Sequence, residues 1–263
     1  MLKKESDLIH PTAIIDPDAN IEDGVEIGPF SIIGAGVEIG KGTIVGPHVL
    51  IKGPTRIGED NKILQFSSIG EDPQDKKYNG EPTTLEIGDR NLIRENCTIN
   101  RGTSQGGGVT RIGSDNWIMA YVHIAHDCII GSHTILANGT TLAGHVTIQD
   151  YVILGGFTLV HQFVVLGKHA FTAINTIVLK DIPPFVMASG HPAAPHGLNS
   201  EGLKRHQFDT KDIQEVKRAY KVLYKSGLLF NDAKEQIQQM SENNAAVADF
   251  SHFLNSSERG VIR

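Results

Sequence analysis

The sequence predicts a mainly β protein, a parallel β-helix of hexapeptide repeats followed by a C-terminal α-helical domain. The first observation behind this is an aliphatic residue at every sixth position. It runs through Ile15, Ile21, Ile27, Ile33, Ile39, Val45, Ile51, Ile57, Ile63 and Ile69, and again at Ile87, Ile93 and Ile99. A second run, one residue out of phase, takes in Ile112, Ile118, Ile124, Ile130, Leu136, Leu142, Ile148, Leu154, Val160 and Leu166, then Thr172 and Val178. The second observation is the residue two places earlier, small or β-branched, as at Val25, Ser31, Val37, Thr43, Val49 and Thr55. Residues two apart share one side of a strand, and helical periodicity cannot give a spacing of six. The third observation is a change after Pro183-Pro184. From about residue 200 glycine is sparse, and Ile213, Val216, Tyr220 and Leu223 form an apolar stripe at helical spacing.

Taken in order, each hexad forms one short strand with its small and aliphatic residues turned inward. The glycine that often follows, as at Gly28, Gly40, Gly58 and Gly131, relieves crowding where the chain turns a corner. Three hexads make a triangular coil of eighteen residues, and coils stack about 4.8 Å apart through parallel pairing. Such hexads resemble the left-handed β-helix family. The left hand rests on that resemblance, because the general crossover rule favours a right-handed path. Residues 71–85 and 101–110 break the period and are expected to loop out. The β-helix is expected over 1–190 and the helical domain over 191–263, where it covers the open end of the solenoid. Asp209 is placed to N-cap the first helix and Gly227 to stop it, with shorter helices around 232–241 and 244–255.

Composition narrows the function. A net charge of −6 over 263 residues disfavours a nucleic-acid partner. No stretch is long and apolar enough to span a bilayer, so no membrane insertion is expected. The N-terminal MLKKESDLIHPTA lacks a signal peptide's apolar core, and a cytoplasmic location is expected. Cys97 and Cys128 fall at small inward positions, outside any metal-like spacing, and read as buried free thiols. Residues 204–225 are locally basic. Lys204, Arg205, Lys211, Lys217, Arg218, Lys221 and Lys225 face only Asp209, Asp212 and Glu215, which suits either a solvated helix face or an anionic partner.

The second repeat run carries His123, His126, His133, His145, His161 and His169, none at an inward position. Counted modulo eighteen, His123, His126, His145 and His161 share one edge over three coils. Gln162 aligns with His126, Asp127 stacks below His145, and Gly144 lies beside His126. Such a ridge fits general acid–base chemistry, with Asp127 orienting His126. It also fits metal ligation by histidines.

The stretches QDKKYNGEPT (74–83), IGDRNLIREN (87–96), RGTSQGGG (101–108), HIAHDCIIG (123–131), LAGHV (142–146), HQF (161–163) and NSEGLKR (199–205) together resemble one family. It is that of the UDP-N-acetylglucosamine O-acyltransferases that begin lipid A synthesis. The resemblance covers essentially the whole chain. It implies a homotrimer with active sites between neighbouring prisms, needing no cofactor and no metal. Such an enzyme moves an (R)-3-hydroxyacyl group from acyl carrier protein to the sugar 3-hydroxyl. It further implies that His126 is the general base, supported by Asp127, and that the Gly144 N–H faces the developing oxyanion. Gln74, Asp75, His123, His145, His161 and Gln162 would hold the sugar and acyl ends. Lys77, Asn199, Glu201 and Arg205 would hold the nucleotide and its phosphates. Three residues depart from the family pattern. Asn100 stands where the best-known members have histidine, His206 replaces a second arginine, and Ile174 stands where long-chain members carry glycine. Ile174 at the base of the acyl pocket implies a shorter donor. Two other readings are a zinc carbonic anhydrase on the same fold and a hexapeptide acyltransferase acting on a different nucleotide sugar.

Overall fold

The computed structural model describes residues 8–242 and 244–263, so the leading MLKKESD segment lies outside the described residues. The hexads form two- to four-residue strands that stack into three parallel sheets, the faces of a prism. Face I runs from Ile14–Ile15 to Ile177–Val178. Face II runs from Asn20–Ile21 to Val165–Leu166. Face III runs from Glu26–Ile27 to Val186–Ser189, where Ala194–Leu198 adds an antiparallel edge. Strand pairing thus extends past Pro183-Pro184, one partial coil beyond the end of the aliphatic run.

Inward positions fill as the alternation requires. Ile27, Ile33, Ile39, Ile51, Ile63, Ile69, Leu136 and Leu142 are buried, as are the small residues Val25, Val37 and Val49 between them. Many polar inward residues form ladders between coils, although Asn116 Nδ2 and Thr140 Oγ1 are buried without a partner. The Asn91 amide donates to Asn61 Oδ1 at 3.0 Å, and Thr134 N and Oγ1 both donate to Asn116 Oδ1. Cys97 and Cys128 are buried free thiols, and burial pushes them up to about 11 and about 12. The glycine after the aliphatic residue owes its place to close stacking. A Cβ on Gly40 would stand 2.7 Å from the carbonyl carbon and oxygen of Gly58 on the next coil. The left-handed corner conformation falls instead on residues such as Phe30, His48, Asp127 and His145.

Two insertions interrupt the stack. Ile69 pairs with Ile99 and Ile99 with Ile124, spacings of 30 and 25 residues against eighteen at Ile33–Ile51. Both leave from the corner between faces I and II, as residues 72–83 and 101–108. The C-terminal segment folds into α1 (Ser200–Arg205), α2 (Thr210–Lys225), α3 (Phe230–Ser241) and α4 (Ala245–Ser256). Asp209 caps α2 by accepting from Lys211 N and Asp212 N, and Gly227, at φ +77°, follows its end. Val216, Tyr220 and Leu223 are buried beneath it. The short α1, capped by Asn199, has too few residues to show helical periodicity. The final residues close onto the prism, where the Asp181 carboxylate accepts from Val165 N and Ser257 Oγ.

Candidate active site

Four residues of the histidine ridge meet at the corner between faces I and II. His126 Nδ1 donates to Asp127 Oδ2 at 2.7 Å, and His145 Nε2 lies 3.6 Å from the same oxygen. Gly144 packs against the opposite side of the imidazole. A Cβ there would stand 2.5 Å from His126 Cε1 and 2.7 Å from Nε2. The Gly144 N–H takes no part in the backbone hydrogen bonding among the described residues, whereas its carbonyl accepts from Phe163 N. His145 stacks on Phe163, ring centroids 4.4 Å apart, and meets His126 edge-on at 5.2 Å. On face I, His123 Nδ1 hydrogen-bonds Thr98 Oγ1 at 2.7 Å. His161 and Gln162 lie exposed further along the same corner.

The electrostatics favour an anion at Asp127 and the neutral form of His123 and His145. Burial alone pushes the Asp127 carboxyl up, but the bonds from His126 and Thr103 outweigh it and hold the group below the usual carboxylate range. His123 is pulled down by burial and then by His126. His145 is pulled down first by burial, with Asp127 opposing. His123, His126 and His145 are therefore half-buried, while His161 is exposed. The ridge does not extend to His169. That ring is buried at the corner between faces II and III, stacked on Tyr151 at 4.7 Å and covered by His206 and Phe208. Burial and then His206 pull it down to about 4, so it is a neutral packing residue.

One ligand atom each from His126, Asp127 and His145 lie within 4.8 Å of one another, so a metal reading needs a test. Asp127 is already committed. Oδ1 accepts from Thr103 N at 2.7 Å, while Oδ2 accepts from both Thr103 Oγ1 and His126 Nδ1 at 2.7 Å. A cation would have to displace these short bonds and take the proton from Nδ1. The donor set is that of a supported base, with Nε2 as its free end.

The remaining candidates divide between two places. Gln74, Asp75 and Lys77 sit on the 72–83 segment at the His126 corner, and Asp75 acts electrostatically on His145. Glu201 and Arg205 are exposed on α1, which is anchored at the other corner where Asn199 Nδ2 donates to His169 O. Asn199 Oδ1 caps Gly202 N, so this amide also orients α1. Ile174 is 71% exposed at the corner between faces III and I. Within one chain these groups do not share the cleft of His126. Asn100, the departure in TINRGT, is buried and donates to the carbonyls of Glu71 and Asp72. It is a strut of the 72–83 segment. Positional counting does not reach Thr103 or Arg101, because their loop lies outside the repeat, whereas Thr110 fills the inward place two before Ile112.

Comparison with known proteins adds the following. Residues 181–262 match the family described as Udp N-acetylglucosamine O-acyltransferase, domain 2. Residues 8–41, 18–53 and 110–144 match the bacterial transferase hexapeptide family. The chain is 58% identical over 255 residues to an acyl-[acyl-carrier-protein]–UDP-N-acetylglucosamine O-acyltransferase of Thiobacillus denitrificans, covering 97% of this chain and 99% of that one. To the protein of the same name from Neisseria gonorrhoeae it is 56% identical over 256 residues, with the same coverage. Among solved structures it is similar to the UDP-N-acetylglucosamine acyltransferase of Francisella novicida, with TM-score 0.96, 44% identity and 97% and 94% of the two chains covered. The UDP-N-acetylglucosamine O-acyltransferase of Moraxella catarrhalis gives TM-score 0.95 at 45% identity, with 97% and 100% covered. The fold is the left-handed parallel β-helix of these structures.

Proposed function

The chain belongs to the acyl-[acyl-carrier-protein]–UDP-N-acetylglucosamine O-acyltransferase family and is an acyltransferase, and from that premise we propose how it works. It transfers an (R)-3-hydroxyacyl group from acyl carrier protein to the 3-hydroxyl of UDP-N-acetylglucosamine, the first step of lipid A biosynthesis. The observation that carries the mechanism is the His126–Asp127 pair with Gly144 against its ring. His126 Nε2 takes the proton from the sugar hydroxyl as its oxygen attacks the thioester carbonyl. The Asp127 carboxylate holds Nδ1–H and stabilises the imidazolium. The Gly144 N–H faces the oxyanion. Collapse breaks the C–S bond, and the imidazolium returns its proton to the leaving thiol of the carrier. His123 and His145, kept neutral by burial, are suited to hydrogen-bond substrate without adding charge beside the base. The donor is already activated, so the chemistry calls for no cofactor.

The working unit is a homotrimer. The outward residues at the hexad positions of face I are Ile14, Ile32, Leu50, Ser68, Thr98, His123, Thr141, Leu159 and Ile177, and the one charged strand residue, Glu71, lies at its edge and pairs with Lys52. Face II instead shows a charge ladder, Glu38, Arg56, Glu86 and Arg111. Face I is flanked by the His126 corner on one side. On the other is a corner that exposes Phe30, Phe66, Tyr121, Phe157 and Ile174. A threefold arrangement about face I buries that corner and brings Ile174 to the His126 of a neighbour. Mixing inactive His126→Ala chains with inactive chains damaged at the Ile174 corner is expected to restore part of the activity in mixed trimers. Absence of recovery would contradict a shared site. The exposed cations Lys211, Lys217, Lys221 and Lys225 on α2 suit the acidic carrier protein, whereas Lys204 and Arg218 are paired with Glu201 and Glu215. No helix among the described residues is long and apolar enough to cross a membrane. A cytoplasmic site of action accords with carrier protein as donor.

The function is tested by assaying UDP-N-acetylglucosamine with 3-hydroxyacyl carrier proteins of graded length. With Ile174 at the end of the acyl pocket, the optimum is expected at roughly 10–12 carbons, since each accommodated methylene is worth about 1–3 kcal/mol of discrimination. Ile174→Gly is expected to raise that optimum by a few carbons and leave sugar binding unchanged. A wild-type optimum of fourteen or more, or an unmoved profile in the variant, would assign chain length to another residue.

A further inference from the structure

The carboxylate behind the base has a third partner. Thr103, on the 101–108 loop, donates to Asp127 from its backbone N–H to Oδ1 and from its hydroxyl to Oδ2, both at 2.7 Å. The hydroxyl oxygen also accepts from Gly106 N at 3.2 Å, which leaves its proton for Asp127. The Asp127 N–H in turn donates to Thr110 Oγ1 at 2.8 Å. Asp127 is thereby held at its carboxylate by this loop and at its backbone by the strand Val109–Ile112 that follows it, and its side chain is 1% exposed. A side chain on Gly106 would overlap the carboxyl group, so the loop backbone lies directly against it.

The loop is itself held. Arg101, 5% exposed, donates to Gly70 O at 2.5 Å and to Tyr78 OH at 3.3 Å, and pairs with Asp72. Asp72 also pairs with Lys52 at 3.2 Å. The 72–83 segment is therefore tied to Arg101, two residues before the Thr103 that bonds Asp127.

We propose that Thr103 is a positioning residue for the base: its two donated bonds fix the Asp127 carboxylate against His126 Nδ1 and limit how strongly that carboxylate draws the imidazole proton. The inference rests on the reading of His126 as general base. A carboxylate oxygen shared between two donors is a weaker acceptor toward each than one serving a single donor. Thr103 thus exchanges some stabilisation of the imidazolium for fixed ring geometry. The other ionisable groups facing His126 are His123 on face I and His145 on the next coil, with Asp75 of the 72–83 segment acting on His145. None of them bonds the hydroxyl of Thr103.

The test uses Thr103→Val, which removes the hydroxyl and keeps the backbone donor, and Thr103→Ser, which restores it. In Thr103→Val, kcat is expected to fall roughly tenfold, the scale of one hydrogen bond to a charged group, with KM for both substrates unchanged. The acidic limb of its kcat/KM profile is expected to move to higher pH by about half a unit, because the freed carboxylate stabilises the imidazolium more. Thr103→Ser is expected to return both readouts to wild type. A raised KM with an unmoved acidic limb, or no recovery in Thr103→Ser, would overturn the proposal. A second measurement covers loss of folding. In an Asp127→Asn background, Thr103→Val is expected to cost little more, because residues acting through one group are not additive. Equal costs in both backgrounds would assign Thr103 a purely structural role. Failure of the underlying reading has a different signature, near-normal turnover in His126→Ala.

Discussion

His126→Ala is expected to lower kcat by about 10²–10⁴, the range for removing a positioned general base. No other imidazole at this corner has a carboxylate on Nδ1. His145 Nε2 is turned toward Asp127, and His123 Nδ1 is engaged by Thr98. The imidazole is not a packing residue of the prism interior, so trimer assembly and thermal melting are expected to stay close to wild type. Binding of UDP-N-acetylglucosamine, followed by calorimetry, is expected to persist. Rapid-quench turnover at saturating donor and acceptor measures the loss directly, and a near-normal kcat would remove His126 from the mechanism.

Gly144→Ala is expected to cost at least roughly a hundredfold in kcat, the scale at which displacing a catalytic group by about 1 Å is felt. The added Cβ would stand 2.5 Å from His126 Cε1, and neither backbone can retreat, because His145 N donates to His126 O and Phe163 N to Gly144 O. The ring must move, and its 2.7 Å bond to Asp127 moves with it. Alanine keeps the backbone N–H, so this loss reports displacement of the ring rather than loss of the oxyanion donor. A crystal structure of the variant would show the rotated imidazole. Wild-type kcat in a correctly folded variant would mean that the ring is free to adapt.

How far the sequence foretold these contacts depends on where the repeat is unbroken. Beyond residue 109 no insertion intervenes, so counting by eighteen correctly sets Gly144 beside His126 and His145 above Asp127. Burial at Ile27, Ile63 or Leu142 follows from strand alternation alone. Thr103 and Arg101 were out of reach, because an irregular loop obeys neither period. His169 shows a different limit. Its place in the hexad is outward, but Phe208 and His206 arrive from nearly forty residues later and bury it. The six-residue α1 is too short to show a helical stripe, and the anchoring of its Asn199 to His169 and Gly202 is a contact no period foretells.

Residue number in this chain acts as an address: position within a hexad sets depth, and the count of hexads sets the side of the prism. Lengthening or trimming the 72–83 or 101–108 segments leaves every address intact, since both depart and return at one corner. Removing a single hexad between His126 and His145, residues 133–138 for instance, would keep every aliphatic residue facing inward. The coils would still stack. Yet each later outward group would rotate onto the adjoining side, carrying Gly144 and His145 away from His126 and Ile174 away from the neighbouring subunit. Such a deletion would yield a well-folded protein with no active site, so the register that stability tolerates and the register that chemistry demands are separable.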